Sequence, residues 1–194
     1  MIYDKLAKGY DRAFAVPEKY FLQKWRHEAA AFLPANSRIL EIGAGTGANF
    51  RFYPNLKSAV ASEISIKMLE IAREKTNSVS LICADAETLP FAVNSFDAAL
   101  ATLVFCSIPK PENAFAELRR VVKNQGVIVL LEHVRPKNPL GFAFDFLNVL
   151  TVAALEDHFN RQTTMLAENA GLKITEIRKK AFGIVNLIVC QVIK

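Results

Sequence analysis

What this chain lacks narrows its class before anything it contains. Cysteine is scarce: Cys83, Cys106 and Cys190 are odd in number and lie in apolar surroundings without the close pairing of a metal site. A disulfide-stapled fold and a zinc module are therefore not expected, and the thiols read as reduced and cytosolic. No metal is expected. Concentrated charge is also missing. The net charge of +5 divides into +2 over residues 1–33, zero over 34–110 and +3 over 111–194. The one tight cluster, Arg178-Lys179-Lys180, reads as a solvated strand end, so nucleic acid is not an expected partner. Long apolar runs are absent as well. The oiliest stretch, Leu140 to Leu155, is broken by Asp145 and Asn148. It falls short of the ~20 apolar residues that cross a bilayer and reads as a buried or interfacial helix. Met1-Ile2-Tyr3-Asp4-Lys5 has no signal-peptide core, so a cytoplasmic location is expected, with contact at the inner membrane surface as its extension. No repeat or low-complexity tract interrupts the chain.

What is present fits one domain over residues 1–194, since a chain of this length has room for one substantial core and no second. Leu6, Tyr10 and Phe14 recur four apart, an amphipathic helix over 2–14, and a second helix after Pro17 puts Leu22, Trp25, Ala29 and Phe32 on one face. Strands and helices then alternate. Arg38–Ile42, Ser58–Ser62, Val79–Ala84, Phe96–Leu103 and Val127–Leu131 read as strands, with Ser65 capping one intervening helix and Pro111 opening another that Gly126 stops. This rhythm predicts an α/β fold with a doubly wound, mainly parallel sheet. After a helix from about Arg161 to Ala170, closed by Gly171, two successive strands, Lys173–Arg178 and Gly183–Ile193, predict an antiparallel hairpin at the end of a seven-stranded sheet.

The chemistry concentrates in Leu40-Glu41-Ile42-Gly43-Ala44-Gly45-Thr46-Gly47, where three glycines follow the first strand. Glycines here let the chain turn sharply and let a ligand approach the backbone. The loop alone leaves two cofactors open, because Gly43-x-Gly45-x-x-Ala48 followed by Glu63 also satisfies the dinucleotide fingerprint. Glu41 before the glycines, Gly47 two residues after Gly45, and Asp85 at the end of the third strand favour another nucleotide-like ligand.

Together with Asp85-Ala86, Ser95-Phe96-Asp97 and Leu118-Arg119-Arg120-Val121 before Gly126, this ordered set resembles the class I S-adenosylmethionine (SAM)-dependent methyltransferases over nearly the whole chain. The resemblance implies a Rossmann-like fold that binds SAM and releases S-adenosylhomocysteine. It further implies that Gly43, Ala44, Gly45 and Gly47 pack against the methionine part and that Glu41 helps position its ammonium group. Glu63 would hold the ribose, Asp85 and Ala86 the adenine, with Ile64, Met68 and Thr102 also at the cofactor. Tyr10, in Tyr3-x6-Tyr10-Asp11, resembles a tyrosine that closes over the cofactor, making residues 1–33 a helical lid.

Within that superfamily, Tyr3-x6-Tyr10-Asp11, Met68-Leu69 and Leu131-Glu132-His133-Val134-Arg135-Pro136 are most similar to the ubiquinone/menaquinone-type and phosphatidylethanolamine N-methyltransferases. Methyl transfer needs alignment and exclusion of water more than a base, so Tyr10 and His133 stand as catalytic candidates, followed by Tyr3, Cys106, His158 and Asp157. Residues 135–160 are expected to cap the acceptor pocket, with Phe142, Phe144 and Phe146 favouring an apolar one. The expected acceptor is lipophilic or amphiphilic, a lipid amine or quinone-like ring, reached through peripheral membrane contact of the N-terminal helix. A soluble small molecule or thiol is the alternative. A catalytically silent SAM-binding subunit or a NAD-dependent oxidoreductase are the readings from other classes. A monomer or weak dimer is expected.

Overall fold

The computed structural model describes residues 2–134, 158 and 161–194. The expected acceptor cap at 135–160, with Phe142, Phe144, Phe146 and Asp157, therefore lies outside the described residues except for His158. Seven strands form one sheet: β1 (Arg38–Ile42), β2 (Ser58–Glu63), β3 (Val79–Cys83), β4 (Phe96–Thr102), β5 (Val122–His133), β6 (Leu172–Lys180) and β7 (Val185–Val192). Their order is β3-β2-β1-β4-β5-β7-β6. The first five run parallel, and β7 lies antiparallel to both β5 and β6. The chain order reverses direction between β1 and β4, the topological switch point at which open α/β sheets bind ligands.

Both faces of the sheet are covered, as a parallel sheet requires. On one face Leu40, Ile42, Ala99, Ala101, Ile128 and Leu130 pack beneath α4 (Pro111–Val121) and α5 (Thr163–Asn169). On the other, Ile39, Ala98, Leu100, Val129 and Leu131 meet Ala29 and Ala30 of α2 (Gln23–Ala30). The alternation explains why β1 is buried from Ile39 onward: successive side chains enter opposite layers of core.

Three local readings are corrected. Pro17 does not separate two helices. It ends α1 (Ile2–Pro17), and helical backbone continues through a π turn, Glu18–Leu22, directly into α2. Proline has no N–H and its ring crowds the preceding turn, and a wider turn absorbs both defects without breaking the axis. Gly126 does not stop α4, which ends at Val121. The strand begins at Val122, bulges, and resumes pairing at Val127 opposite Ala98. Gly126 is needed because a Cβ there would come within 2.7 Å of the Asp97 carbonyl oxygen. The fourth strand ends at Thr102, since Leu103 turns left-handed at φ 58°. The cap is as expected: Ser65 accepts a hydrogen bond from the Met68 N–H at 3.2 Å, opening α3 (Ile66–Glu74).

Phe115 anchors the layer under α4. Its side chain is fully buried and stacked on Phe105, with ring centroids 4.2 Å apart. Phe115→Ala is expected to lower the unfolding free energy by about 3–5 kcal/mol through the cavity it leaves. Denaturant unfolding with an unchanged m-value checks this, and a loss below about 1 kcal/mol would show that the layer refills the space.

Candidate functional site

A cavity of about 270 Å3 opens at the carboxyl ends of β1, β2 and β4. Its floor is the glycine loop. Gly43, Gly45 and Gly47 have φ of 60°, 55° and 80°, a region that side-chain-bearing residues avoid. Gly43 also leaves room for the Val104 side chain, which a Cβ would meet. At Gly45 a Cβ would meet no protein atom within 4 Å, so the backbone here faces open space. Gly45 donates its N–H to Glu63 Oε2 at 2.9 Å, while Glu63 Oε1 accepts from the Ser65 N–H at 2.9 Å. The carboxylate at the end of β2 thus shapes both the loop and the start of α3.

Most of the residues singled out in the sequence meet at this cavity. Gly43, Ala44, Gly45, Glu63, Ile64 and Met68 line one side, with Asp85, Ala86, Thr102 and Tyr10 around them. Asp85 is exposed, and its Oδ1 accepts from the Glu87 N–H at 2.8 Å. Three of the expected cofactor and catalytic residues do not line it, nor do the further candidates Cys106 and His158. Gly47 borders a neighbouring cavity with Phe14, Phe50 and Lys75. His133 is absent from the lining because β-strand side chains alternate: Glu132 turns toward the loop after β4, which sends His133 to the opposite face. Glu41 is wholly buried beneath the loop instead of reaching the cavity. His158 donates its backbone N–H to the Cys106 carbonyl at 2.8 Å.

Glu41 is the hub of a buried polar network that the sequence did not announce. Its Oε1 accepts from Asn49 Nδ2 at 2.5 Å, and the Tyr53 hydroxyl donates to Oε2. Asn49 Nδ2 also donates to the Thr102 hydroxyl at 2.8 Å. Arg26 completes the group, donating from Nη1 to Thr102 at 2.6 Å and to Asn49 Oδ1 at 3.1 Å, and from Nε to Glu18 at 3.1 Å. Burial pushes the Glu41 carboxyl up to about 7, against the hydrogen bonds from Tyr53 and Asn49, which favour the charged form. Burial and the facing Glu41 together push the Tyr53 hydroxyl well above its ordinary range. Arg26 lines the cavity, and nothing in the amphipathic pattern around Trp25 marked it.

The N-terminal helix borders the cavity through Ile2, Tyr3 and Tyr10. Tyr3 meets the Ser107 hydroxyl at 2.7 Å, Asp4 accepts from the Ser65 hydroxyl at 2.6 Å, and Asp11 accepts from the Thr46 hydroxyl at 2.6 Å. Lys75 bonds the other Asp11 oxygen at 2.6 Å. The Ser65 hydroxyl lowers the Asp4 carboxyl below its usual range. At Asp11 burial works the other way, and the bonds from Lys75 and Thr46 outweigh it.

A family model described as a methyltransferase domain matches residues 40–130. Over that stretch, a little under half of its 194 residues, the chain is similar to the methyltransferase domain, and the relatives and solved structures that resemble it include SAM-dependent methyltransferases. Demethylmenaquinone methyltransferase of Renibacterium salmoninarum is 32% identical over 139 residues, covering 70% of this chain and 58% of that protein. Phosphatidylethanolamine N-methyltransferase of Cereibacter sphaeroides is 32% identical over 122 residues, covering 59% of this chain and 60% of that protein. The chain therefore spans about three fifths of the length of these curated relatives. Among solved structures, a SAM-dependent methyltransferase of Thermotoga maritima, titled a possible histamine N-methyltransferase, superposes with a TM-score of 0.77. It is 25% identical and covers 98% of this chain and 97% of that one. SAM is accordingly the cofactor of the family fold, and the dinucleotide reading of the glycine loop falls away.

The raised Glu41 carboxyl has a consequence for stability. A carboxyl whose folded value lies above its ordinary 4.5 contributes stability fully below that value and loses it as the pH rises through about 7. Glu41→Gln removes this loss. Thermal melts should show the variant gaining on the parent between pH 5 and pH 8, and a constant gap across that range would mean that Glu41 does not titrate in the fold.

Proposed function

We propose that the protein transfers a methyl group from SAM to a lipophilic or amphiphilic acceptor, a lipid amine or a quinone-like ring. The observation that carries the reading is the meeting of the left-handed glycine loop, Glu63 and Asp85 around one cavity at the switch point of the sheet. The fit to SAM rests on the donor set: open space at Gly45, a carboxylate at the end of β2, and a second one just beyond β3. When bound, SAM supplies a methyl group on a sulfonium that is already activated for in-line displacement.

Each residue then has a physical task. The backbone at Gly43, Ala44 and Gly45 lets the methionine portion approach, with Gly47 allowing the loop to turn. Glu63 still has lone pairs for two ribose hydroxyls after accepting from Gly45 and Ser65. Asp85 accepts from the adenine amine, flanked by apolar Ile64, Met68 and Ala86. Arg26, held by Glu18, Asn49 and Thr102, offers positive charge for the cofactor's carboxylate. Glu41 acts beneath the loop by fixing Asn49 and Tyr53. Tyr10 covers the site and excludes water. His133 does not line this cavity.

The curated relatives named for demethylmenaquinone and phosphatidylethanolamine support an oily acceptor. So does the outer surface of the N-terminal helical run, where Phe14, Val16, Tyr20 and Phe21 are exposed beside the exposed Lys8, Arg12 and Lys19. Apolar and basic residues together suit an anionic membrane surface. Among the described residues no helix is long and apolar enough to cross a membrane.

Calorimetry is expected to give binding of SAM and S-adenosylhomocysteine and none of NAD(H), with Asp85→Ala weakening SAM binding by roughly 1–3 kcal/mol. Unchanged affinity removes Asp85 from the site. Turnover on a panel of phospholipid amines, quinols, thiols and small amines distinguishes an enzyme from a silent SAM-binding subunit. Co-sedimentation with anionic vesicles at low salt should fall when residues 1–16 are removed; no binding in either form leaves a soluble acceptor.

A further inference from the structure

Glu132 lies at the end of β5, fully buried, on the same face as Asn186 opposite it in β7. It reaches across to the segment that follows β4. Its Oε1 accepts from the Val104 N–H at 3.0 Å, and Oε2 from Val104 and Phe105 at 3.2 Å each. One residue earlier, Leu103 donates its N–H to the Leu131 carbonyl at 2.8 Å while holding a φ of 58°. A leucine avoids that left-handed conformation unless its surroundings impose it. Leu103 and Val104 both line the cavity, and Val104 is the side chain that occupies the space beside Gly43.

We propose that Glu132 is a positioning residue for the cofactor cavity, its carboxylate clamping the Val104 and Phe105 N–H groups and so holding the Leu103–Val104 wall against the glycine loop. This rests on the reading of that cavity as the SAM site. A carboxylate is suited to the task because two oxygens can receive two adjacent backbone donors that otherwise point into apolar core. Its surroundings act on its charge in opposite directions. Burial pushes it up to about 8, against the two backbone donors and the guanidinium groups of Arg161 and Arg26. These two arginines face it from the approach to α5 and from α2, Asn186 from β7, and His133 follows it in sequence. The clamp tightens as the pH rises through about 8, since an ionised carboxyl accepts more strongly than a neutral one.

The test uses the full chain with S-adenosylhomocysteine as the probe. Glu132→Gln presents one acceptor where two are needed and sets an amide N–H against a backbone donor. Its affinity is expected to fall about tenfold. It should still melt cooperatively, and at pH 8.5 no earlier than the parent, because the buried charge is gone. Parent affinity should rise more steeply than the variant's between pH 6.5 and 8.5, since Glu41 titrates in both and Glu132 only in the parent. A merely structural glutamate would lower the melt and leave the pH profiles parallel. Equal affinities, or parallel profiles, overturn the proposal. Amide hydrogen exchange over residues 103–107 reads the clamp without any ligand. Faster exchange in Glu132→Gln, or in Glu132→Asp should the first variant not fold, supports it, and unchanged protection overturns it. If the parent does not bind S-adenosylhomocysteine while exchange still responds, the cofactor reading fails and the clamp stands.

Discussion

Much of this molecule is arranged around one carboxyl group that never meets solvent. Glu41 sits near the end of β1, directly under the glycine loop, and it is held by Asn49 and Tyr53 from the segment that follows the loop. Asn49 and Thr102 then receive the Arg26 guanidinium, which reaches back to Glu18. The two central strands, the loop and the N-terminal helices are thereby tied at one point. In a low-dielectric interior such a network is favourable only when every member is present, because a stranded polar group there is costly. α2 joins the network through Arg26, and the π turn before it through Glu18.

The fold was legible in the sequence where the signal was local. The apolar run before three glycines marked β1, Ser65 marked the start of α3, and strand spacing gave seven strands with a closing hairpin. Glu63 and Asp85 were legible as neighbours at one cavity because Glu63 ends β2 and Asp85 lies just beyond β3, at the same edge of the sheet. What was missed depends on distant partners. Arg26 carried no mark in the sequence, because the partners that enclose it, Asn49 and Thr102, lie 23 and 76 residues away. Gly126 looked like a helix stop because the carbonyl that excludes a side chain there belongs to another strand. Pro17 looked like a break because a π turn has no sequence signature as plain as that of proline.

Glu132 and His133 illustrate a different limit. Chemistry by residue type favours the histidine, but a strand's period of two gives adjacent residues opposite surroundings. The glutamate, one place earlier, is the one that touches the cavity's wall. Choosing between them requires the register of β5 against β4, which is fixed by a bulge between Phe96 and Ala98 that no pattern in either strand advertises.

The attachments of α1 have a further implication. Tyr3 and Asp4 fasten its first turn, and Asp11 fastens it two turns later, each through a side chain to a hydroxyl at the cavity's rim. No strand takes part in these contacts, and the helix contributes only Ala7 to the fully enclosed interior. These bonds and the Lys75–Asp11 ion pair join side chains, and none belongs to the pairing of the seven strands, so the attachment of this helix and the integrity of the sheet rest on separate sets of interactions.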